Sequence, residues 1–264
     1  MDRAPLAYQN EQFLDSPDAR TLRILAEYHE PQSRLRRHNI QDTIVFFGSA
    51  RIHSLETCGT EKAAKIMSRY YEDARELARL LTQWSDGLPS RRHRFVITSG
   101  GGPGIMEAAN RGAHEAGGKT MGLNIRLPFE QMPNAYITPE LNFEFHYFFM
   151  RKFWFAYLAK ALVAFPGGFG TLDELMEVLT LVQTQKLNKK IVIMLYGREY
   201  WEEIINFKAL VEWGTIAASD LELFHFSDDP VDAFQILTRQ LDELYLKAPV
   251  PGDEQTPAIA QTRS

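Results

Sequence analysis

The sequence predicts an α/β protein built on an open, mainly parallel sheet with helices on both faces. Short apolar runs recur along the chain and alternate with stretches of helical periodicity, which is typical of βαβ units. The runs are continuously apolar, as expected for parallel strands that are buried on both faces. Several runs end in glycine, and in open α/β sheets ligands bind at this carboxyl edge of the strands.

The predicted elements fall into three regions. Residues 1–40 form an N-terminal helical extension with a helix near Ala19–Tyr28, residues 41–248 form one α/β domain, and residues 249–264 form a tail rich in Pro, Thr and Gln that we expect to be disordered. The predicted strands are Thr43–Phe47, Phe95–Thr98, Thr120–Ile125, Asn142–Phe145, Ala161–Phe165, Ile191–Leu195 and Glu222–Phe226. The predicted helices are Thr57–Trp84, Pro103–Glu115, Tyr147–Lys160, Thr171–Gln183, one beginning near Glu199, and Pro230–Leu246.

Composition narrows the class of protein. Hydrophobic residues make up 45% of the 264 residues and charged residues 24%, which is enough for a packed core. The formal net charge of −5 is spread along the chain, and this argues against a nucleic-acid-binding surface. The single cysteine, Cys58, allows no intramolecular disulfide, and no apolar run suits a signal peptide or a membrane span. We therefore expect a soluble, cytoplasmic protein with no nucleic-acid or membrane partner.

The sharpest motif is the segment that runs from Phe165 to Glu174, with the sequence FPGGFGTLDE. A buried strand enters a glycine turn that opens a helix, and Gly167, Gly168 and Gly170 let a ligand approach the backbone. The free amides and the dipole at a helix start favour an anion such as phosphate. The alternative is a turn that only connects two elements. A second glycine loop at a neighbouring strand end favours the anion site.

That second loop is Ser99-Gly-Gly-Gly-Pro-Gly104, with Ser99, Gly101 and Gly102 as candidate ligand contacts. Gly48 and Ser49, which follow the first strand, are further candidates. The loop resembles a dinucleotide fingerprint imperfectly, because its last small position is occupied by a bulky residue and the next strand supplies no clear acid for a ribose diol. A dehydrogenase that binds a nicotinamide cofactor is therefore not favoured.

Glu174 allows two interpretations. Thr171 and Glu174 have the spacing of a capping box, with Thr171 at the N-cap and Glu174 at the third helical position. Alternatively, Glu174 points past a bound phosphate toward the sugar, where it accepts a ribose hydroxyl proton or orients a water. Asp173 lies on another side of the helix, and we expect it to be solvated surface.

The segment 147–162 is apolar on nearly every side, and Arg151 and Lys152 interrupt it. A cation near a core is costly without a partner. Either both side chains reach solvent or structural carboxylates, or they face the sheet edge and meet a ligand anion and Glu174. The apolar helix also suggests self-association.

Together these residues resemble the LOG family, the cytokinin-activating phosphoribohydrolases once labelled lysine decarboxylases. The resemblance spans residues 42–210 and rests on Phe47-Gly48-Ser49, Ser99-Gly-Gly-Gly102, Met150-Arg151-Lys152 and Pro166-Gly-Gly-Phe-Gly-Thr-Leu-Asp-Glu174. It implies a Rossmann-like fold, usually a homodimer, that cleaves a nucleoside 5′-monophosphate to free base and ribose 5-phosphate. It also implies that Arg151 and Glu174 are catalytic, that Gly167–Thr171 binds phosphate, and that no organic cofactor or metal takes part.

The resemblance leaves the base open. Short plant members carry Met-His before the Arg-Lys pair, whereas this chain has Phe148-Phe149-Met150 and looks more like longer bacterial members, some of which resemble AMP nucleosidases. The substrate is then AMP or an N6-modified AMP. In our hypothesis Arg151 fixes the phosphate and keeps Glu174 ionised. The alternative is a non-catalytic nucleotide sensor or carrier on the same fold.

Overall fold

The computed structural model describes residues 3–128 and 132–247, so the tail predicted for 249–264 lies outside the described residues. Within those ranges, seven strands form one sheet in the order β4-β3-β2-β1-β5-β6-β7, and every neighbouring pair is parallel. The strands are β1 Thr43–Phe47, β2 Val96–Ser99, β3 Thr120–Ile125, β4 Asn142–Phe145, β5 Ala159–Ala164, β6 Val192–Tyr196 and β7 Phe224–Ser227. The predicted fold class is confirmed.

Helices cover both faces of this sheet. They are α1 Glu11–Leu14, α2 Arg20–Arg37, α3 Lys62–Asp86, α4 Ile105–Glu115, α5 Phe148–Leu158, α6 Phe169–Gln183, α7 Arg198–Ile204, α8 Phe207–Glu212 and α9 Pro230–Tyr245. Alternate strand residues enter two separate cores: Ile44 and Phe46 of β1 pack with α3, α4 and α9, while Val45 and Phe47 pack with α5 and α6. Both faces are therefore buried. Among the described residues, no helix is long and apolar enough to cross a membrane.

The N-terminal segment packs on the α5 side of the sheet. Leu35 of α2 is buried in the core of that side, and Ile24 and Tyr28 pack against the same core. Helix α2 is longer than the predicted stretch and continues through Pro31.

The order in which the chain adds strands to the sheet switches sides between β1 and β5, although the two strands are parallel. From β1 the chain adds β2, β3 and β4 on one side, and it then returns to place β5 against the other side of β1. The loops that leave β1 and β5 therefore diverge to opposite faces and open a crevice between them, which is where α/β sheets bind ligands.

The starts of β5 and α6 differ from the predicted ones. Strand β5 begins at Ala159 instead of Ala161, because the backbone turns extended directly at the end of α5. Helix α6 begins at Phe169 instead of Thr171: Gly168 is extended, and its carbonyl accepts the first helical hydrogen bond from the Leu172 amide at 3.0 Å.

Candidate functional site

Three glycine-bearing loops meet at the carboxyl edge of the sheet, as their positions after β1, β2 and β5 predict. Ser49 lies at the centre. Its amide donates to the Pro166 carbonyl at 3.0 Å, and its carbonyl accepts from the Ile105 amide at 3.1 Å. Gly104 has a φ of +71°, and a Cβ there would lie 2.3 Å from the Ser49 carbonyl oxygen. Close backbone contact between the loops therefore requires glycine at this position.

The turn after β5 is equally tight at Gly167. A Cβ on Gly167 would lie 2.2 Å from Thr171 Oγ1 and 3.0 Å from the Ser49 amide nitrogen, so a side chain does not fit. The amides of Phe169, Gly170 and Thr171 precede the first helical hydrogen bond of α6, which leaves them as donors at the positive end of the helix. This is the local geometry of an anion site.

The capping-box interpretation of Glu174 is wrong. Thr171 is the third residue of α6, and Glu174 lies in the second turn, because the helix begins two residues earlier than predicted. A side chain there is too far along the helix to cap its first amides. The side chain of Glu174 is only 6% exposed, and Glu174 lines the cleft.

The cleft at this edge has a volume of about 1420 Å³. Of the predicted site residues, the cleft is lined by Gly48, Ser49, Arg151, Gly167, Gly168, Gly170, Thr171 and Glu174. A turn that favours anions and a buried carboxylate therefore share one cavity, which is large enough for a small organic ligand.

Arg151 and Glu174 form a buried pair inside the cleft. Arg151 Nη2 lies 3.6 Å from Glu174 Oε1, which is an ion pair beyond hydrogen-bond length. Within the described residues, neither Arg151 Nε nor Glu174 Oε1 has a hydrogen-bond partner, although both atoms are buried. Buried polar atoms are normally satisfied, so these two atoms are suited to receive a ligand.

The pKa of the Glu174 carboxyl is higher than a carboxylate paired with a cation is expected to have. Burial raises the pKa of the Glu174 carboxyl from 4.5 to about 7, and the cations of Lys152 and Arg151 oppose this rise only in part. Arg151 lowers the pKa of Glu174, as expected, but desolvation outweighs this attraction, so the carboxyl of the unliganded protein is only partly ionised near neutral pH. A carboxyl with a pKa near neutrality is suited to proton transfer.

Lys152 lies outside the cleft lining. Its Nζ is 2.8 Å from Asp173 Oδ2, 2.6 Å from Glu177 Oε2 and 4.0 Å from Glu174 Oε2. Asp173 is exposed, as predicted, and it also holds this lysine. The contacts place Lys152 between α5 and α6, where it pairs with carboxylates.

Four other predicted residues lie beneath the cleft instead of lining it. Met150 is buried in the core, and Ser99 accepts a hydrogen bond from the Gly101 amide at 3.0 Å and donates to the buried Asn110 at 2.6 Å. The carbonyls of Gly101 and Gly102 each accept a hydrogen bond from Asn134 Nδ2 at 3.1 Å. These contacts hold the second glycine loop in shape.

The cleft lining also includes polar residues that were not predicted as site residues, among them Tyr200, Asn124 and Arg34. Tyr200 of α7 donates to the Gly167 carbonyl at 2.7 Å, Asn124 is the penultimate residue of β3, and Arg34 reaches the cleft from α2. Asn124 was detectable, since it lies next to the carboxyl end of a predicted strand, at the ligand edge. Tyr200 and Arg34 carry no local signal, because contacts between distant segments bring them to the cleft.

The sheet is parallel, and its strand order switches sides between β1 and β5, next to the glycine turn. A cleft lies at the carboxyl edge of these strands. These features define a Rossmann-like α/β protein with a cleft for a ligand. A family model described as "possible lysine decarboxylase" matches residues 106–237, which is half of the 264-residue chain. The chain belongs to this family, which includes the LOG phosphoribohydrolases.

Curated relatives carry the LOG name. The chain is 30% identical over 153 residues to the rice (Oryza sativa subsp. japonica) cytokinin riboside 5′-monophosphate phosphoribohydrolase LOG, an alignment that covers 57% of each chain. It is also 30% identical over 153 residues to LOG7 of Arabidopsis thaliana, which covers 57% of this chain and 64% of the relative. The chain thus spans less than two thirds of either relative.

A solved structure of the same fold is the Moco carrier protein from Chlamydomonas reinhardtii. The TM-score is 0.50 at 21% identity, and the match covers 77% of this chain and 99% of that one. This similarity concerns the fold alone.

Proposed function

We propose that this chain hydrolyses the N-glycosidic bond of a nucleoside 5′-monophosphate, releasing free base and ribose 5-phosphate. The substrate is AMP or an N6-modified AMP, the latter being the cytokinin nucleotide class in the names of the relatives. The observation that carries the proposal is a pair of buried atoms, Arg151 Nε and Glu174 Oε1, that have no hydrogen-bond partner among the described residues and lie beside an anion-type turn.

The phosphate binds the amides that open α6, between Gly167 and Thr171. Ribose then lies over Glu174, whose side chain is one turn further along the helix. Arg151 supplies a guanidinium to the sugar-phosphate and adds the positive charge that an anionic ester requires. Met150 and Lys152 support this arrangement from α5, and Ser99, Gly101 and Gly102 support it from the second loop.

In the reaction the bond between C1′ and the base nitrogen breaks, and its electron pair leaves with the base, which takes up a proton. Water bonds to C1′ and releases a proton. Positive charge grows on the ribose ring as the bond breaks, and the Glu174 carboxylate stabilises that charge and orients the water or a ribose hydroxyl. These roles require the ionised carboxylate.

The test is incubation of purified protein with AMP, an N6-isopentenyl AMP and other nucleoside monophosphates, followed by chromatography of the released base. Glu174→Gln keeps the shape of the side chain and is expected to reduce kcat by at least about a hundredfold, the usual contribution of a positioned carboxylate. Glu202→Gln is the control: it replaces an exposed carboxylate of α7 that pairs with Arg198, outside the cleft.

Two outcomes would contradict the proposal. Unchanged turnover in Glu174→Gln would remove Glu174 from the reaction. Tight nucleotide binding with no released base, measured by calorimetry beside the turnover assay, would instead assign the chain to the non-catalytic class of nucleotide sensors or carriers.

A further inference from the structure

Helix α2 of the N-terminal segment contacts the start of α5 through Glu27. Glu27 Oε1 accepts a hydrogen bond from the His146 amide at 2.7 Å, and Oε2 accepts one from the Tyr147 amide at 3.3 Å. The backbone carbonyl of Glu27 also accepts the indole N–H of Trp154 at 2.9 Å. One residue of α2 therefore contacts both the start of α5 and its second turn.

Glu27 anchors the two backbone amides that lead into α5. Tyr147 is the N-cap residue of α5, and its side chain makes no capping hydrogen bond. A carboxylate at a helix start accepts the free amides and interacts favourably with the helix dipole. Tyr28, next to Glu27, adds ring contacts to Phe153 at 5.6 Å and Trp154 at 5.9 Å. The orientation of α5 thus depends on a segment more than a hundred residues away in the chain.

Arg151 depends on this helix for its position. Its amide donates to the Tyr147 carbonyl at 3.2 Å, so the residue that Glu27 holds is also the hydrogen-bond partner of Arg151 in the first turn. The guanidinium makes ring contacts with Phe148 and Phe155 of the same helix. Its distance to Glu174 is therefore set by where α5 lies.

We propose that Glu27 is a positioning residue, whose carboxylate holds the start of α5 and thereby keeps Arg151 beside Glu174. A second residue of the same helix, Arg34, lines the cleft and donates to the Asn142 carbonyl at 2.7 Å. Helix α2 then contributes to the site in two ways: Glu27 holds α5, and Arg34 lines the cleft. The inference rests on the proposed function only for the roles of Arg151 and Glu174 in the reaction.

The titration of Glu174 reports the position of Arg151. The charged groups that face Glu174 are Arg151 and Lys152 from α5 and Asp173 and Glu177 from α6. If α5 moves and Arg151 withdraws, the pKa of Glu174 rises, since a nearby cation favours the carboxylate. Removing the negative charge of Glu27 would by itself lower that pKa. The two effects have opposite signs, so the direction of the shift separates positioning from a direct electrostatic effect.

This pKa is measurable without turnover. Because the folded-state pKa of Glu174 is raised from 4.5 to about 7, ionisation disfavours folding. The wild-type protein is therefore expected to lose stability relative to Glu174→Gln as pH rises through this window, and to lose no more above it. We call the pH at which this difference in stability becomes constant the levelling pH. It marks the folded-state pKa of Glu174.

The experiment measures urea unfolding between pH 4 and 9, with and without Glu174→Gln, in the wild-type, Glu27→Ala, Glu27→Gln and Arg23→Ala backgrounds. Glu27→Ala is expected to move the levelling pH upward by about one pH unit. Glu27→Gln retains one acceptor for two amides and is expected to give a smaller upward shift. Arg23→Ala is the matched control, since it removes hydrogen bonds to Leu14 and Ser16 in the same segment and is expected to leave the levelling pH unchanged.

An unchanged or lowered levelling pH in both Glu27 variants would overturn the inference. If Glu27→Ala does not fold, the levelling pH of Glu27→Gln alone decides whether Glu27 positions Arg151. If the wild-type protein hydrolyses no nucleotide, the proposed function fails, but the stability measurement still decides the role of Glu27. If it does hydrolyse one, the rising limb of kcat/KM against pH is expected to shift in the same direction as the levelling pH.

Discussion

At Glu174, burial and neighbouring charges act on the pKa in opposite directions. Desolvation raises its pKa to about 7 against the attraction of two cations, so near neutral pH the free protein contains both ionised and protonated forms. The local motif predicts Glu174 as a site residue, and Glu174 lines the cleft, but the motif does not predict its charge state, because desolvation depends on the packing of α5 against α6.

This balance predicts the pH dependence of the proposed reaction. If the carboxylate is the active form, kcat/KM is expected to rise with pH through about 7 and then to level off, since kcat/KM reports the free enzyme. Initial rates with AMP between pH 5 and 9 measure this. A decline in kcat/KM across the same range would show that the protonated carboxyl is active and that Glu174 acts as a general acid.

At the scale of elements, the start of α6 combines two kinds of glycine. Gly167 has no room for a side chain. At Gly168 and Gly170, in contrast, an added Cβ would have no atom within 4 Å. The fold therefore requires Gly167 on steric grounds. Gly170 lies within α6 and faces open space in the cleft, so its small size leaves room for a ligand instead.

Gly170→Ala separates stability from binding. Alanine is the better helix former by about 1 kcal/mol, so the free energy of unfolding is expected to stay constant or increase. AMP binding is expected to weaken by roughly tenfold, equivalent to about 1.4 kcal/mol, because the methyl group enters the space of the phosphate. Calorimetry and thermal unfolding measure both effects, with Gly59→Ala as the control at another open glycine. Unaltered binding would place the phosphate elsewhere.

At the scale of the whole molecule, apolar surface remains exposed at the cleft, where Phe148 and Phe169 line it, and next to it at Phe149. Phe148 and Phe149 of α5 are 52% and 50% exposed, and Phe169 at the start of α6 is 92% exposed. Large apolar side chains grouped on one surface often mark an interaction site. We therefore predict that the protein forms a homodimer through this surface.

Sedimentation equilibrium is expected to give twice the 30.3 kDa mass of one chain. Phe149→Ser, which lies outside the cleft lining, is expected to shift the mass toward the monomer, while Leu55→Ser, an exposed control elsewhere, has no effect. A wild-type monomer at micromolar concentration would contradict the prediction.

The class of fold and the glycine turn at the start of α6 could be predicted because both are local properties. Continuous apolar runs such as Thr43–Phe47 indicate buried parallel strands, and a glycine turn at the start of a helix favours an anion wherever it lies. Neither inference requires knowledge of distant neighbours. The exact start of α6 was missed because the extended Gly168 and helical Phe169 are not distinguished by residue type alone.

Contacts between distant segments decide the rest. Lys152 pairs with Asp173 and Glu177, Glu174 is buried deeply enough for its pKa to rise, and Glu27 holds the start of α5, all because α2, α5 and α6 pack together. Periodicity and motif spacing describe one stretch of chain at a time, whereas desolvation and ion pairing depend on which stretches meet. The residue types at the site can therefore be inferred from the chain, but their charge state and support arise from packing.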